Sequence, residues 1–395
     1  MRVSRRDFAL LTSSVALSGC GSLVSSSDGD GGREPLDVPT SDIENTPTAT
    51  EAAISGPSSV RWQSDAVSSP ATSPVVADGT VVVGAGSQGL LAYSTVDGSV
   101  QWGAPLDGTP SGIPAVHDGT VYAVDDARGR PDSVPSVRAI DLETGEERWR
   151  WVLDANAVFA PAVADEGIYV RTDASLVSLS RSDGTVRWAL DEPGNFGDMW
   201  YETTMDVSPL VLDDHVVFPS GDGLVAVTRD TAEVAWRTDA EKVRAAPSSD
   251  GEHVFYSDVA NGIRAVSAAD GETLWSYEAV GCSTTPAVGD GRVVGSTGLH
   301  LVSLDPQSGD EQWRSDSLHG DIYTSPVLDG DRIIAGSISS SAVSLDSSSG
   351  DIEWRFGKGT RQSPSMIDGT AFVVGHVEGD GGQPVQSVVA IEQSR

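Results

Sequence analysis

Eight tryptophans alternate with eight prolines along this sequence, and that alternation limits the possible folds more than any other feature. The tryptophans are Trp62, Trp102, Trp149, Trp188, Trp236, Trp275, Trp313 and Trp354, at steps of 40, 47, 39, 48, 39, 38 and 41 residues. The prolines are Pro74, Pro114, Pro161, Pro209, Pro247, Pro286, Pro326 and Pro364, each in or before a short apolar run such as Pro74-Val75-Val76-Ala77. Glycine stands four residues before most of the tryptophans (Gly98, Gly145, Gly184, Gly271, Gly309, Gly350), with Ala232 in that place before Trp236 and Ser58 before Trp62. Self-similarity at a period of about 42 residues means a repeat architecture. Length alone suggests two or three domains for 395 residues, but a single closed repeat array accommodates them as one.

Within one unit, apolar and small residues alternate between Asp-Gly pairs, the signal of short strands joined by tight turns. The first unit is read as an inner strand over 72–77, a second from Thr80 to Gly84, a third from Leu90 to Ser94 and an outermost from Ser99 to Gly103 carrying Trp102. Helical periodicity is nowhere sustained. Pro364 begins an eighth unit whose third strand is read as Val388 to Glu392, with no tryptophan strand after it. Ser59-Val60-Arg61-Trp62 is a tryptophan strand with no unit before it. The two fragments complement each other. The expected fold is all-β: an eight-bladed β-propeller of four-stranded antiparallel blades, closed by the N-terminal Trp62 strand completing the last blade. Closure leaves only short, protected edges, whereas an open solenoid needs capping repeats.

The fullest copy of the unit's end runs from Ala139 to Trp149. Its pattern Ala-x-Asp-x-x-Thr-Gly-x-x-x-Trp is met by Ala139, Asp141, Thr144, Gly145 and Trp149, and in part by Ser303, Asp305, Ser308, Gly309 and Trp313. This resembles the tryptophan-docking repeat of quinoprotein-type, or PQQ-like, β-propellers, over residues 58–395. The resemblance implies that each tryptophan lies between blades, stacked on the glycine-bearing turn of a neighbour. The physics agrees: only glycine is expected to let an indole lie flat on the backbone there, and a buried indole brings large area with one N–H that needs an acceptor. The eight tryptophans are therefore read as structural docking residues.

The resemblance also implies a cofactor, pyrroloquinoline quinone with calcium, served by a catalytic aspartate, carboxylate and amide ligands and an adjacent cysteine pair. This chain has only two cysteines, Cys20 and Cys282, and four asparagines, Asn45, Asn156, Asn195 and Asn261, with no basic cluster for the quinone carboxylates. The likeness is read as one of scaffold: no cofactor, catalytic residue or metal ligand is expected. No two of the six histidines (His117, His215, His253, His300, His319, His376) share metal-ligand spacing, and most are read as standing by the turn after an inner strand. Nucleophile elbow, phosphate loop and zinc motif are all missing.

The net charge is −33, from 58 acidic against 25 basic residues, and the only lysines are Lys242 and Lys358. No basic patch is left to meet phosphates, so nucleic acid is excluded as a partner. Such a surface suits very high salt, which screens its self-repulsion; a halophile, and an archaeon, is the expected source. At the N-terminus, Ser4-Arg5-Arg6-Asp7-Phe8 precedes an apolar run to Leu17 that is too short to span a bilayer. It ends in Leu17-Ser18-Gly19-Cys20. This resembles a twin-arginine export signal, carried by Arg5 and Arg6, joined to a lipobox, with Ala9 where leucine is often found. It implies removal of residues 1–19, a lipid on Cys20 and a chain tethered to the outer face of the cytoplasmic membrane. Residues 20–57 are rich in Ser, Asp, Pro and Thr and too polar to order themselves. They read as a stalk spanning on the order of 30–35 Å. Cys282 is then alone, read as a small buried residue near the axis, and no internal disulfide is possible in the mature chain.

Three excursions break the repeat. Proline-to-tryptophan spacing is 27 or 28 in six blades but 35 in the second, where Asp125 to Ser133 carries Arg128 and Arg130. Tryptophan-to-proline spacing is 10 to 13 except for 21 from Trp188 to Pro209, a link containing Phe196, Met199, Trp200 and Tyr201. The third runs from His376 to Gln383. In an up-and-down blade, second-to-third loops and blade-to-blade links emerge on one face, so all three excursions share it. Loops on a rigid scaffold carry binding, and aromatics concentrate at interface centres. The candidate interaction face is Phe196, Met199, Trp200, Tyr201, Arg128, Arg130 and His376; a plainer reading folds the aromatic loop back as a plug. The expected function is a non-enzymatic, lipid-anchored scaffold binding a protein partner, similar to the scaffold lipoproteins of the bacterial outer-membrane assembly machinery. The alternatives are a quinone- and calcium-dependent dehydrogenase of alcohols or sugars and a glycan-binding surface protein. Replacing one docking tryptophan by alanine is expected to cost about 3–5 kcal/mol in denaturant unfolding.

Overall fold

The computed structural model describes residues 58–126, 134–153, 158–191, 207–220, 222–240, 242–378 and 383–393. These residues form eight four-stranded antiparallel sheets, each with its strands in chain order apart from the last. Blade 1 comprises Val75–Ala77, Thr80–Gly84, Leu90–Ser94 and Val100–Ala104, named here inner, second, third and outer. The second and third strands match the sequence reading. The inner strand starts three residues later than expected, after Pro74, which has no N–H for the ladder and belongs at a strand's first or edge position. The same holds in most blades. Blade 2 differs: its inner strand, Thr109–His117, runs through Pro114 with a register shift between Ser111 and Ala115. A three-residue 3-10 turn, Gly86–Gln88, is the only helical element among the described residues.

The eighth sheet closes the ring. Ser58–Gln63 pairs antiparallel with Pro384–Gln393, Ser59 opposite Glu392 and Trp62 opposite Ala390, and the sheet continues through Thr370–Glu378 to Ser365–Ile367. The third strand of this blade is longer than the expected Val388 to Glu392, because it pairs along the whole of Thr370–Glu378. Trp62, Val83, Phe372 and Val388 share one buried cluster, so blades 8 and 1 pack as other neighbours do. Ser363 N–H donates to Ser73 Oγ at 2.7 Å across the same seam.

The core lies between blades. Second and third strands are buried along almost their whole length, as in Thr80–Gly84, because both faces of each sheet are covered by a neighbour. That is why they read as continuous apolar runs instead of alternating ones. One layer joins Val82, Leu90 and Trp102 of blade 1 to Val121 and Ile140 of blade 2.

The joint between blades repeats with one geometry. The indole N–H of Trp62 donates to Thr95 O at 3.0 Å and that of Trp102 to Leu142 O at 2.8 Å. Trp149 uses Arg181 O, Trp188 Arg229 O, Trp236 Ala268 O, Trp275 Pro306 O and Trp313 Ser347 O, at 2.7–3.1 Å. Each acceptor opens the turn between third and outer strands of the next blade. The indole lies against the glycine of that turn: a Cβ at Gly145, whose φ is +75°, would sit 2.8 Å from Trp102 carbons. Thr144 and Glu143 N–H donate to Asp141 Oδ1 at 2.9 and 3.0 Å and cap the turn. The Arg148 guanidinium holds the Asp141 carboxyl down at about 2, so the cap stays charged.

Two details correct the sequence reading. Glycine is not obligatory, since Ala232 faces Trp188 in the chain of joints and holds φ at 58°. Burial is also uneven: six tryptophans are buried, but Trp149 and Trp188 are half-buried. Trp354 meets the closing blade, which has no third-to-outer turn, and packs on Ala371, Val389 and Ile391 instead. Left-handed backbone costs an L-residue about 1–2 kcal/mol, so Ala232→Gly is expected to stabilise the ring by about 1 kcal/mol in urea unfolding. Gly145→Ala should destabilise it, because a joint built around glycine would have to take a methyl 2.8 Å from Trp102 carbons.

Candidate functional site

The chain-order topology sends inner-to-second and third-to-outer turns to one face, the turn face. It sends second-to-third loops and blade-to-blade links to the other, the link face. The turn face is committed to structure. Its turns hold the docking joints and are bridged by ion pairs: Arg181 Nη2 lies 2.6 Å from Asp118 Oδ2, and Arg229 pairs with Glu166. These two bridges join blade 3 to blade 2 and blade 4 to blade 3, where the docking tryptophans are only half-buried. A cleft of about 530 Å³ opens on this face between blades 4 and 5, lined by Leu210, Asp214, His215, Ser249 and Ala268.

The ends of the three excursions all stand on the link face: Asp126 and Val134, Asp191 and Val207, Glu378 and Gln383. Phe196, Met199, Trp200, Tyr201, Arg128 and Arg130 lie outside the described residues, as do Cys20, Arg5 and Arg6. His376 is described; it is exposed, with Nδ1 3.2 Å from Gly359 O. The histidine reading needs correction. His117, His215 and His253 do stand by the turn after an inner strand, and His376 by a second-to-third loop as its excursion implied, but His300 also lies at a second-to-third loop and His319 in a link, so the turn position holds for three of the six and not for most. Histidine is polar enough for either kind of loop, so local sequence did not separate the faces.

The root of the blade 2 excursion is built unusually firmly. Arg138, 3% exposed, places Nη2 3.1 Å from Asp125 Oδ2 and 2.8 Å from Asp107 Oδ2, and Nη1 3.0 Å from Glu147 Oε2. Asp125, fully buried, also accepts from Gly108 N–H at 3.0 Å and from the Ser136 hydroxyl. Arg150 joins from the outer strand through Asp107 and Glu147. Each buried charge is thus paired and hydrogen-bonded, the condition under which burial is tolerated. Sequence reasoning missed this network. Its members are spread from Asp107 to Arg150, and only strand pairing brings them together. In the next blade Arg171, fully buried, sets its guanidinium 5.3 Å over the Phe218 ring.

The quinone cofactor implied by the repeat needs calcium ligands and an adjacent cysteine pair. Among the described residues, no three His, Cys, Asp or Glu side chains converge to hold a metal ion. Cys282 is fully buried between blades 5 and 6 with Ile263 and Val293. Burial first, and the Asp258 charge second, push its thiol up to about 12, which makes it inert at ordinary pH. Among the described residues, then, calcium finds no cluster of three such groups and no adjacent cysteine pair; Asn156 and Asn195 lie outside them.

Eight four-stranded blades joined by indole docking define a tryptophan-docking β-propeller. The chain belongs to the family described as outer membrane protein assembly factor BamB, whose model matches residues 52–218 and 200–393. A comparison with curated proteins finds no match. Among solved structures, the chain is similar to BamB from Moraxella catarrhalis at 15% identity and a TM-score of 0.66, over 83% of this chain and 99% of that one. It is similar to the computationally designed Ika8 protein at 12% identity and 0.65, over 84% and 98%. It is also similar to quinohemoprotein alcohol dehydrogenase from Comamonas testosteroni at 13% identity and 0.62, over 86% and 77%. At such identities the likeness is one of fold.

Asp125→Ala is expected to destabilise the propeller by about 1–3 kcal/mol in denaturant unfolding, because the buried Gly108 N–H and Ser136 hydroxyl lose their acceptor while Arg138 keeps Asp107 and Glu147.

Proposed function

We propose that this chain is a non-enzymatic, lipid-anchored propeller that binds a protein partner outside the cytoplasmic membrane. The observation that carries the reading is the division of labour between faces. The turn face is spent on docking, while the three excursions and the buried Arg138 network that roots one of them belong to the link face. Membership of the BamB family supports it. So does the mismatch between the described donor groups and a quinone site, despite the fold shared with a dehydrogenase. The sequence features at Arg5, Arg6 and Cys20 support export and anchoring, and the −33 charge supports a saline exterior. A bacterial outer-membrane role is not carried over with the family name.

Two measurements test this. Cys20→Ser should move the protein from the membrane fraction to the soluble fraction; retention in the membrane would remove the anchor. Affinity capture from membranes should recover a protein partner, with recovery falling for Trp200→Ala/Tyr201→Ala. Quinone- and calcium-dependent dye reduction by the purified protein would replace this function with the dehydrogenase.

A further inference from the structure

Positive charge is scarce in this chain, and its arginines are commonly held by carboxylates, as Arg138, Arg181 and Arg332 are. The end of blade 7 departs from that rule. Arg355, Lys358 and Arg361 fall within one outer strand and the link that follows it, and none makes an ion pair with another described residue. Arg355 is half-buried and donates only to carbonyls, Leu318 O at 3.2 Å and Ser317 O at 3.1 Å. Burial alone pushes its pKa down, with no carboxylate to offset it. Lys358 is exposed between Gly357 and Gly359, whose φ angles of +71° and +106° give the link a tight path. Arg361 is exposed, with its guanidinium 5.0 Å from the Tyr323 ring centroid.

Apolar surface adjoins these cations. Ile338, 47% exposed, has its carbonyl against Gly359, and its N–H donates to Asp321 O at 3.1 Å. Leu299, 42% exposed, accepts from Leu318 N–H at 2.9 Å, beside the carbonyl that Arg355 uses. His376 borders the group through Gly359. Asp321 accepts from the Tyr323 hydroxyl at 3.3 Å. This patch lies on the link face across blades 6 to 8. The link from Trp354 to Pro364 is the shortest of the eight, 10 residues, so no excursion grows from it.

We infer that this patch docks a carboxylate-bearing segment of a protein partner, with Lys358 and Arg361 pairing Asp or Glu side chains and Leu299, Tyr323 and Ile338 receiving aliphatic neighbours. The inference rests on the protein-binding reading and gives its partner a chemistry. Charge complementarity selects the occupant: a chain of net charge −33 repels acidic segments, and here three cations stand without a counter-charge among the described residues. A second copy fits poorly, because a two-fold contact would set the same cations against each other. An arginine stacked on an aromatic ring and flanked by apolar surface makes close, partly desolvated pairs, which salt screens less than open ones.

The chain's two lysines make the test readable. A carbodiimide applied to native membranes activates carboxylates; a lysine amine in contact displaces the urea and leaves an amide. The expected product joins Lys358 to an Asp or Glu of another protein, mapped by mass spectrometry. Lys358→Arg should lose the cross-link and keep the captured partner. Arg361→Glu should lower the cross-link at Lys358 by about ten-fold or more, the scale of one central interface residue. Both side chains are exposed, and circular dichroism checks that the variants fold. Lys358 joined only to this chain, to lipid or to nothing, or an unchanged yield in Arg361→Glu, would overturn the inference. Capture at the wild-type level by Lys358→Glu/Arg361→Glu would also overturn it while leaving the scaffold reading intact. No partner captured by the wild-type protein would remove both.

Discussion

The indole N–H that reaches a carbonyl in the next blade is the interaction on which the rest of this molecule depends. A β-sheet with two apolar faces cannot stand alone, and eight of them must choose one mutual orientation. Apolar contact does not make that choice, because it is non-directional. The indole adds direction. From Trp62 to Trp313, seven donors meet the same position in seven successive turns. Flat stacking on a glycine such as Gly145 then sets how closely the neighbouring turn can approach. The aspartate of that turn, Asp141 or Asp346, caps its N–H groups and keeps the platform rigid.

This joint makes the two faces unequal. Residues at the turn face are fixed by the neighbours they hold, which is why ion pairs such as Arg181 with Asp118 appear there as bridges between blades. The link face carries no docking duty and can vary. Excursions, the Arg138 network and the cations near Lys358, which pair with no carboxylate among the described residues, all fall on it. The charge follows the same division. Asp-Gly turns such as Asp78-Gly79 and Asp290-Gly291 place carboxylates around the turn face for conformational reasons, since aspartate and glycine both tolerate the left-handed backbone found there.

Much of the fold was legible because its rules are local. Proline marks the start of an inner strand, Asp-Gly marks a turn, and a tryptophan four residues beyond a glycine marks the outer strand. Even closure could be read, because Trp62 lacked a unit and Pro364 lacked a tryptophan. The candidate site was legible only in part. Excursions appear as broken spacing, so the blade 2 loop and the link after Trp188 stood out. The Arg138 network and the patch near Lys358 did not. Their members, Asp107 with Arg138 or Tyr323 with Arg361, are 31 and 38 residues apart and meet only through strand pairing or blade packing. The scarcity of lysine was visible; the place of Lys358 was not. Three of the six histidines stand by turns where most were expected to, and His300 and His319 fall on the link face, since nothing in their neighbours encodes direction.

The sequence by itself determined the number of blades, the order of strands and the way the ring closes, because each depends on periodicity and on residues with restricted backbones. Tertiary structure decided which charges are buried and paired and which are left open. It also decided that Ala232 can serve where glycine was expected, and that Trp149 and Trp188 stay half-buried. Those outcomes depend on the distance between side chains on different blades. That distance is set by packing across the ring, to which a sequence read one unit at a time gives no access.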